Sequence, residues 1–152
     1  MVQLKWPNDV LLNGGKVAGI LLESVGAGQG VNHLIIGIGV NLVAAPVAGQ
    51  VEQGAVPPVS LLSETGIRVS PEEFLDLLAA AYDRHETQFT TYGFAPIRTA
   101  WLRDAARLGE TITARTTAET MTGRFESIDE AGNLILTTAK GQRAIPAADI
   151  FF

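Results

Sequence analysis

The sequence predicts an α+β chain, a sheet with helices followed by a compact all-β module. Three observations lead there. Apolar, β-prone runs flank an Asn-Gly-Gly turn near the start. A capped helical stripe begins at Ser70, and beyond Leu108 the apolar pattern shortens into strands split by turn residues.

Taken in order, Val2 to Lys5 and Val10 to Asn13 are short strands separated by "WPND", where Pro7 forbids a central-strand position. "NGG" at Asn13 to Gly15 is a hairpin signal, because Asn and Gly reach the positive φ that a tight primed turn demands. The return strand runs from Lys16 to about Val25, and "GAGQG" reads as a flexible loop. His33 to Leu42 is a third, nearly continuous apolar strand, a pattern that predicts burial on both faces beneath helices. Ala44 to Pro58 is a long Ala-, Gly- and Pro-rich loop, and Ser60 to Glu64 a short helix closed by Gly66. In "SPEEF", Ser70 is an N-cap, Pro71 the first helical residue, and Glu73 completes a capping box. Phe74, Leu77, Leu78, Ala81, His85 and Phe89 continue at helical spacing, which makes His85 a partly buried core histidine. A further helix spans about Phe94 to Arg107, with Trp101 and Leu102 as packing residues. "ETITARTT", "TMTGRFESID", "NLILTTA" and "RAIPAADIFF" then give four or five short antiparallel strands, read as a small barrel.

At 152 residues the chain can bury a core without staples, and with no cysteine it has no disulfide, thiolate zinc site or cysteine nucleophile. "MVQLKWPND" is not a signal peptide, and "LIIGIGVNLV" falls far short of the ~20 residues that span a bilayer. A soluble, cytoplasmic protein with no membrane partner is expected. The net charge of −5 argues against non-specific nucleic-acid binding, and the late basic residues are interleaved with acids as a solvated face. "GAGQGV" and "GIGVNL" both fail the dinucleotide fingerprint at its third glycine, and there is no P-loop.

What remains is the opening stretch "LKWPNDVLLNGGKVAGILLE". Lys5 and Lys16 are the only lysines or arginines before Arg68. Lys16, on a stiff hairpin in an apolar setting, suits a carboxylate or phosphate ligand. Gly19 lets a flat ligand approach the backbone. Asn8 and Asp9 supply an amide and a carboxylate able to hold Mg²⁺ or take a proton from an amine. Asn41 has the paired donor and acceptor that match an adenine edge. An ordinary turn, with Lys16 reaching water from a strand end, would account for the same residues, and both readings stay open at this point.

"KWPNDV", "GKVAGILLE" and "IGIGVN", in that order and spacing, resemble the C-terminal half of the catalytic domain of biotin protein ligases. The tail resembles the small SH3-like barrel that closes the prokaryotic enzymes. The resemblance implies an incomplete class II synthetase-like biotin/lipoate ligase fold over residues 1–106 and an SH3-like barrel over 107–152. It implies ATP, biotin and Mg²⁺ as ligands, biotinoyl-5'-AMP as intermediate, and a lysine of a biotin carboxyl carrier protein, as in acetyl-CoA carboxylase, as acceptor. By the same resemblance Lys16 contacts the biotin carboxylate and the adenylate phosphate, and Gly19 and Leu21 lie beside biotin. Asn41 sits at the adenine, with Asn8 and Asp9 near the phosphates, Mg²⁺ and the incoming lysine. Trp6 and Pro7 shape the turn, and Lys5 supports it.

The family's basic Gly/Arg-rich loop and the DNA-binding helix-turn-helix of some members are not in this sequence. The expectation is therefore a fragment, or one half of a split enzyme with an exposed apolar sheet, pairing with a second copy or a partner half-chain, and binding no DNA. A lipoate protein ligase relative and a non-catalytic carrier-docking module are the alternatives.

Overall fold

The computed structural model describes residues 1–26, 33–47 and 54–152. It contains two antiparallel sheets, one of four strands in the order β1-β2-β3-β4 and one of five in the order β8-β7-β6-β5-β9, with three helices between them in sequence.

The first sheet comprises β1 (Val2–Lys5), β2 (Asp9–Leu12), β3 (Gly15–Val25) and β4 (His33–Val40). The predicted hairpin is present, with Asn13 at φ 51° and Gly14 at φ 87° linking β2 to β3. Pairing of β2 with β3 slips once. Val10 lies opposite Ala18, but Leu11 lies opposite Lys16, so Val17 is the extra residue of a bulge. One face of this sheet packs Leu12, Val17 and Ala18 against Val59 and Leu61. The outer edge of β1 is continued by the chain at 104–106, where Leu4 N–H donates to Asp104 O at 2.8 Å and Ala106 N–H to Leu4 O at 2.8 Å.

Burial of the third apolar strand differs from expectation, since β4 is exposed along nearly its whole length. Helices α1 (Leu61–Thr65) and α2 (Pro71–Tyr92) approach only the end of the sheet near Val10, Ala18 and Val40, leaving a wholly apolar gap of about 280 Å³ between sheet and Phe74 and Leu78. Beyond it, Leu21, Leu22, Val25, Leu34, Ile35 and Ile36 form an uncovered two-stranded ribbon. Most of "GAGQG" and residues 48–53 of the predicted long loop lie outside the described residues.

Helix α2 begins where the capping box requires, with Ser70 accepting from Glu73 N–H at 3.2 Å and Glu73 accepting from Ser70 N–H at 3.0 Å. Its apolar stripe does not become core. No residue of α2 is buried, and His85, expected half-buried, is exposed, because the helix touches α3 but stands away from the sheet. Helix α3 (Phe94–Arg103) ends earlier than predicted, since the chain leaves helical geometry at Asp104 to pair with β1.

The second sheet runs through β5 (Thr111–Arg115), β6 (Thr120–Ile128), β7 (Leu134–Thr138), β8 (Gly141–Ile145) and β9 (Asp149–Phe151). Its strand order is open, with β8 and β9 as edges that do not pair with each other among the described residues, so the expected barrel is an SH3-like sheet without closure. Ile112, Phe125, Leu134, Leu136 and Ile145 form its core, and Trp101 meets Phe125 edge-on at 6.4 Å. Arg98 fastens α3 to β6 by donating to Ile128 O and Ser127 Oγ. The predicted interleaving of acids and bases is seen in Arg103–Asp104, Arg107–Glu110 and Arg143–Glu119, exposed pairs that solvent screens and that add little to stability.

Gly123 on β6 has no room for a side chain, because a Cβ there would lie 2.5 Å from Thr137 O on the neighbouring strand. Gly123→Ala should therefore lower the unfolding free energy by about 1–3 kcal/mol, read from the denaturant midpoint. At α2 the Ser70 backbone N–H, and then its hydroxyl, hold the Glu73 carboxyl below its ordinary value. A depressed carboxyl contributes above its unfolded pKa and loses its contribution as pH falls through the folded one. Amide protection in the first turn of α2 should thus fall in acid below the ordinary glutamate range; Glu73→Gln, which has no carboxyl to titrate, should abolish that dependence in a hydrogen-exchange titration, and Ser70→Ala, which keeps the backbone N–H, should only reduce it.

Candidate functional site

The main cleft, of about 740 Å³, opens on the face of the first sheet opposite α1. Its walls come from the β1–β2 turn (Lys5, Pro7, Asn8, Asp9), from β3 and β4, from Ala55 and Val56, and from the chain end at Ala148–Phe151.

The floor follows from strand register. Asp9 lies opposite Gly19 and Gly19 opposite Gly39, while Leu21 lies opposite Gly37. Directly opposed residues share a face, so these five form one patch in which three side chains are missing. In "GIGV" the alternation sends Gly37 and Gly39 to the cleft face and Ile38 and Val40 to the other. Over this floor lies Lys16. In a regular strand Lys16 and Gly19, three apart, would point to opposite faces. The bulge at Val17 reverses the parity and brings the lysine across the glycine. A Cβ on Gly19 would meet Lys16 Cε at 3.3 Å, Lys16 Nζ at 3.4 Å and Asp9 Oδ1 at 3.7 Å. Gly19 is thus a seat for the lysine as well as open floor.

Three charges meet there. Lys16 Nζ is 2.6 Å from Asp9 Oδ1, and Lys5 Nζ donates to Asp9 Oδ2 at 3.2 Å. Side-chain exposure is 11% for Lys5, 12% for Asp9 and 41% for Lys16, so the first two are held in the wall and the third faces the opening. With one carboxylate between two ammonium groups, the cluster carries one net positive charge in a sheltered cleft, an arrangement that attracts a carboxylate or phosphate. Asn8 donates through its side chain to Ile20 O at 2.7 Å and accepts from Ile20 N–H at 2.9 Å, which fixes the turn to β3.

The expected site residues Lys16, Asp9, Asn8, Gly19 and Leu21 therefore line one cleft. Asn41 does not. Its side-chain amide donates to Val59 O at 3.0 Å and Lys16 O at 3.4 Å, and its backbone N–H to Val17 O at 2.8 Å. It ties the base of Lys16 to the 59–61 segment. Asp9 and Asn8 do not as they stand make a resident Mg²⁺ site. Both carboxylate oxygens of Asp9 face ammonium groups, and no cluster of three or more His, Asp or Glu able to hold a metal occurs among the described residues. The sequence reading missed Gly37 and Gly39, although their period-two spacing was visible, and missed Ala148–Phe151, which carry no local signal. The chain end is held in place by Arg115, which pairs with Asp149 Oδ2 at 3.2 Å and lies over the Phe151 ring at 4.7 Å.

Two family models match the chain. The Biotin/lipoate A/B protein ligase family matches residues 1–41, and the Biotin protein ligase C terminal domain matches residues 108–152. A biotin--[acetyl-CoA-carboxylase] ligase of Paracoccus denitrificans is 64% identical over 149 residues, covering 98% of this chain and 62% of the relative. The bifunctional ligase/repressor BirA of Bacillus subtilis is 33% identical over 147 residues, covering 97% of this chain and 45% of the relative. The chain thus spans about half to three-fifths of the length of these relatives. In fold it is similar to the apo biotin protein ligase of Aquifex aeolicus, with a TM-score of 0.82 at 24% identity over 98% of this chain and 64% of that one. The same enzyme in complex with biotin and ATP gives a TM-score of 0.79 at 24% identity over 98% and 60%. With both sheets falling under models of one enzyme group, and identity to a ligase running nearly end to end, this chain belongs to the biotin protein ligase family.

Proposed function

We propose that the cleft binds biotin and the adenylate made from it. In the complete enzyme it would serve ATP-dependent formation of biotinoyl-5'-AMP and transfer of the biotinoyl group to a lysine of a biotin carboxyl carrier protein. The observation that carries this reading is the Lys5–Asp9–Lys16 cluster lying over a glycine floor. The relative from Paracoccus, named for ligation of biotin to acetyl-CoA carboxylase, and the Aquifex enzyme held with biotin and ATP support the choice of ligands.

In the first step a biotin carboxylate oxygen attacks the α-phosphorus of ATP, and the bond to the β-phosphate oxygen breaks to release pyrophosphate. Lys16 turns from Asp9 to the carboxylate and then to the α-phosphate, where charge accumulates in the transition state. Lys5 keeps Asp9 paired meanwhile, so Lys16 can leave without stranding a buried carboxylate. In the second step the carrier lysine nitrogen attacks the acyl carbon and AMP departs. Asp9 Oδ1, vacated by Lys16, stands ready to accept the amine proton. Gly19 and Leu21 flank the biotin, and Asn8 holds the turn. Asn41 acts at the nucleotide end through the Lys16 main chain that it anchors. Mg²⁺ enters with the triphosphate as part of the substrate.

Residues 1–106 form the catalytic part in this reading and 107–152 the C-terminal unit. The uncovered β3–β4 ribbon is where further polypeptide, from a second copy or a partner half-chain, would pack. No described helix is long and apolar enough to cross a membrane, and the cytoplasm is the compartment that the use of ATP and a carboxylase carrier suggests.

Calorimetric titration with biotin, lipoate and biotinoyl-5'-AMP tests the reading. The adenylate should bind more tightly than biotin, and lipoate more weakly. Equal or stronger lipoate binding would point to the lipoate branch, and no binding to a folded chain would remove the ligand-site reading. In a complete ligase, Lys16→Ala should cost about 2–4 kcal/mol of transition-state stabilisation, measured by single-turnover adenylate formation. Gly19→Ala should act in the same direction but less, because it crowds Lys16 without removing it; an unaltered rate would contradict the seat described for that lysine.

A further inference from the structure

Trp6 lies three residues before Asp9, yet its side chain belongs to the other sheet. The ring is 6% exposed, within the C-terminal core formed by Ile112, Phe125, Leu134 and Leu136. Its indole N–H donates to Gly132 O at 3.0 Å, a contact between residues 126 positions apart. Just before it, Leu4 is hydrogen-bonded on both sides to the 104–106 segment. Just after it, Asn8 is bound to Ile20 through side chain and main chain. The turn bearing Lys5 and Asp9 is therefore clamped at one end by the C-terminal unit and at the other by β3.

The partner of the indole is itself organised. Gly132 has φ +82° in a turn held by Asp129, whose carboxylate accepts from Ala131 N–H at 2.9 Å, Asn133 N–H at 2.8 Å and Asn133 Nδ2 at 2.8 Å. The Asn133 side chain above all holds the Asp129 carboxyl below its ordinary value, so the turn is built on the ionised form. Neither Trp6 nor Asp129 lines the cleft.

We propose that Trp6 is a positioning residue: it couples the 129–133 turn of the C-terminal sheet to the Lys5–Asp9 turn, and so holds the Asp9–Lys16 pair over the glycine floor. The coupling itself stands on geometry alone, and its consequence for ligand binding rests on the proposed ligase site. A side chain that merely filled the core would stabilise the C-terminal unit without setting the cleft. One that positions Asp9 moves the cleft even when the core stays intact, and small displacements of reacting groups are costly.

The test compares the whole chain with Trp6→Phe, which keeps an aromatic ring but loses the N–H, with Asp129→Ala, and with the double variant. Hydrogen exchange is followed by mass spectrometry at residues 8–10 and 20, and in β5 and β8, which carry Ile112 and Ile145 away from the 129–133 turn, as a control for the core. Each single variant should speed exchange at residues 8–10 and 20 several-fold while leaving β5 and β8 protected, and the double variant should add little, because both act on one hydrogen bond. Titration with biotinoyl-5'-AMP should show about five-fold weaker binding in each single variant, the size of one hydrogen bond. Unchanged exchange at residues 8–10 with a protected core, or full additivity in the double variant, would reduce Trp6 to a packing residue. Altered exchange with unaltered adenylate affinity would overturn the link to the ligand. Should the unsubstituted chain bind no adenylate, the ligase-site reading fails, and the exchange data alone decide the coupling. Asp129→Ala decides it should Trp6→Phe not fold.

Discussion

A carboxylate drawn into a protein wall must be neutralised, and the site is arranged around meeting that demand for Asp9. Two ammonium groups meet it, one sheltered and one half-exposed. The sheltered partner, Lys5, is part of the same turn and gives the carboxylate a permanent companion. The exposed one, Lys16, is a companion on loan. Because the sum of charges stays positive, an incoming anion can take Lys16 without creating an unpaired buried charge, which would cost several kcal/mol. The inward charge of the turn and the anion binding proposed for the cleft are two aspects of one electrostatic arrangement.

Geometry supplies what charge alone cannot. A lysine on a regular strand with the register of β3 would turn its back on Gly19, and the single extra residue at Val17 corrects this. Gly19 then leaves the sheet face bare beneath the ammonium group, so that the long stem of Lys16 lies flat where a methyl group would lift it, and Gly37 and Gly39 extend the bare floor along β4. The cost of so much bare backbone is borne by the rest of the sheet, which anchors its opposite face on Leu12, Val17 and Ala18.

Much of this was legible in the residues. The Asn13-Gly14 turn, the Ser70 capping box and the change of period after Leu108 are local signals, and local signals survive into the fold. The concentration of cations at Lys5 and Lys16 also pointed to the candidate cleft that both line, because a charge in an apolar context requires a reason. Other features were hidden because they depend on distant partners. The bulge at Val17 exists only in the pairing of β2 with β3. The wall at Ala148–Phe151 exists only once β9 has joined β5. The exposure of β4 and of His85 went against the reading for the converse reason: an apolar pattern states what a strand or helix can bury, and it cannot supply the surface that buries it. Asn41 shows the same limit within one side chain, since its amide could match a base edge as well as two carbonyls, and the fold engages it with the carbonyls.

The placement of the tryptophans has an optical consequence. The chain has two, Trp6 and Trp101, and both pack against the C-terminal core, one from the β1–β2 turn and one from α3. Intrinsic emission from this chain is therefore a report on the seam where the first sheet and α3 meet the second sheet. Separation at that seam would wet both indoles together and shift the spectrum to the red. Melting of the β3–β4 ribbon, which contains no tryptophan, would pass unseen. A fluorescence melt and a circular-dichroism melt of the same sample would thus follow different parts of the molecule, and the interval between their midpoints would measure how far the ribbon loosens before the seam parts.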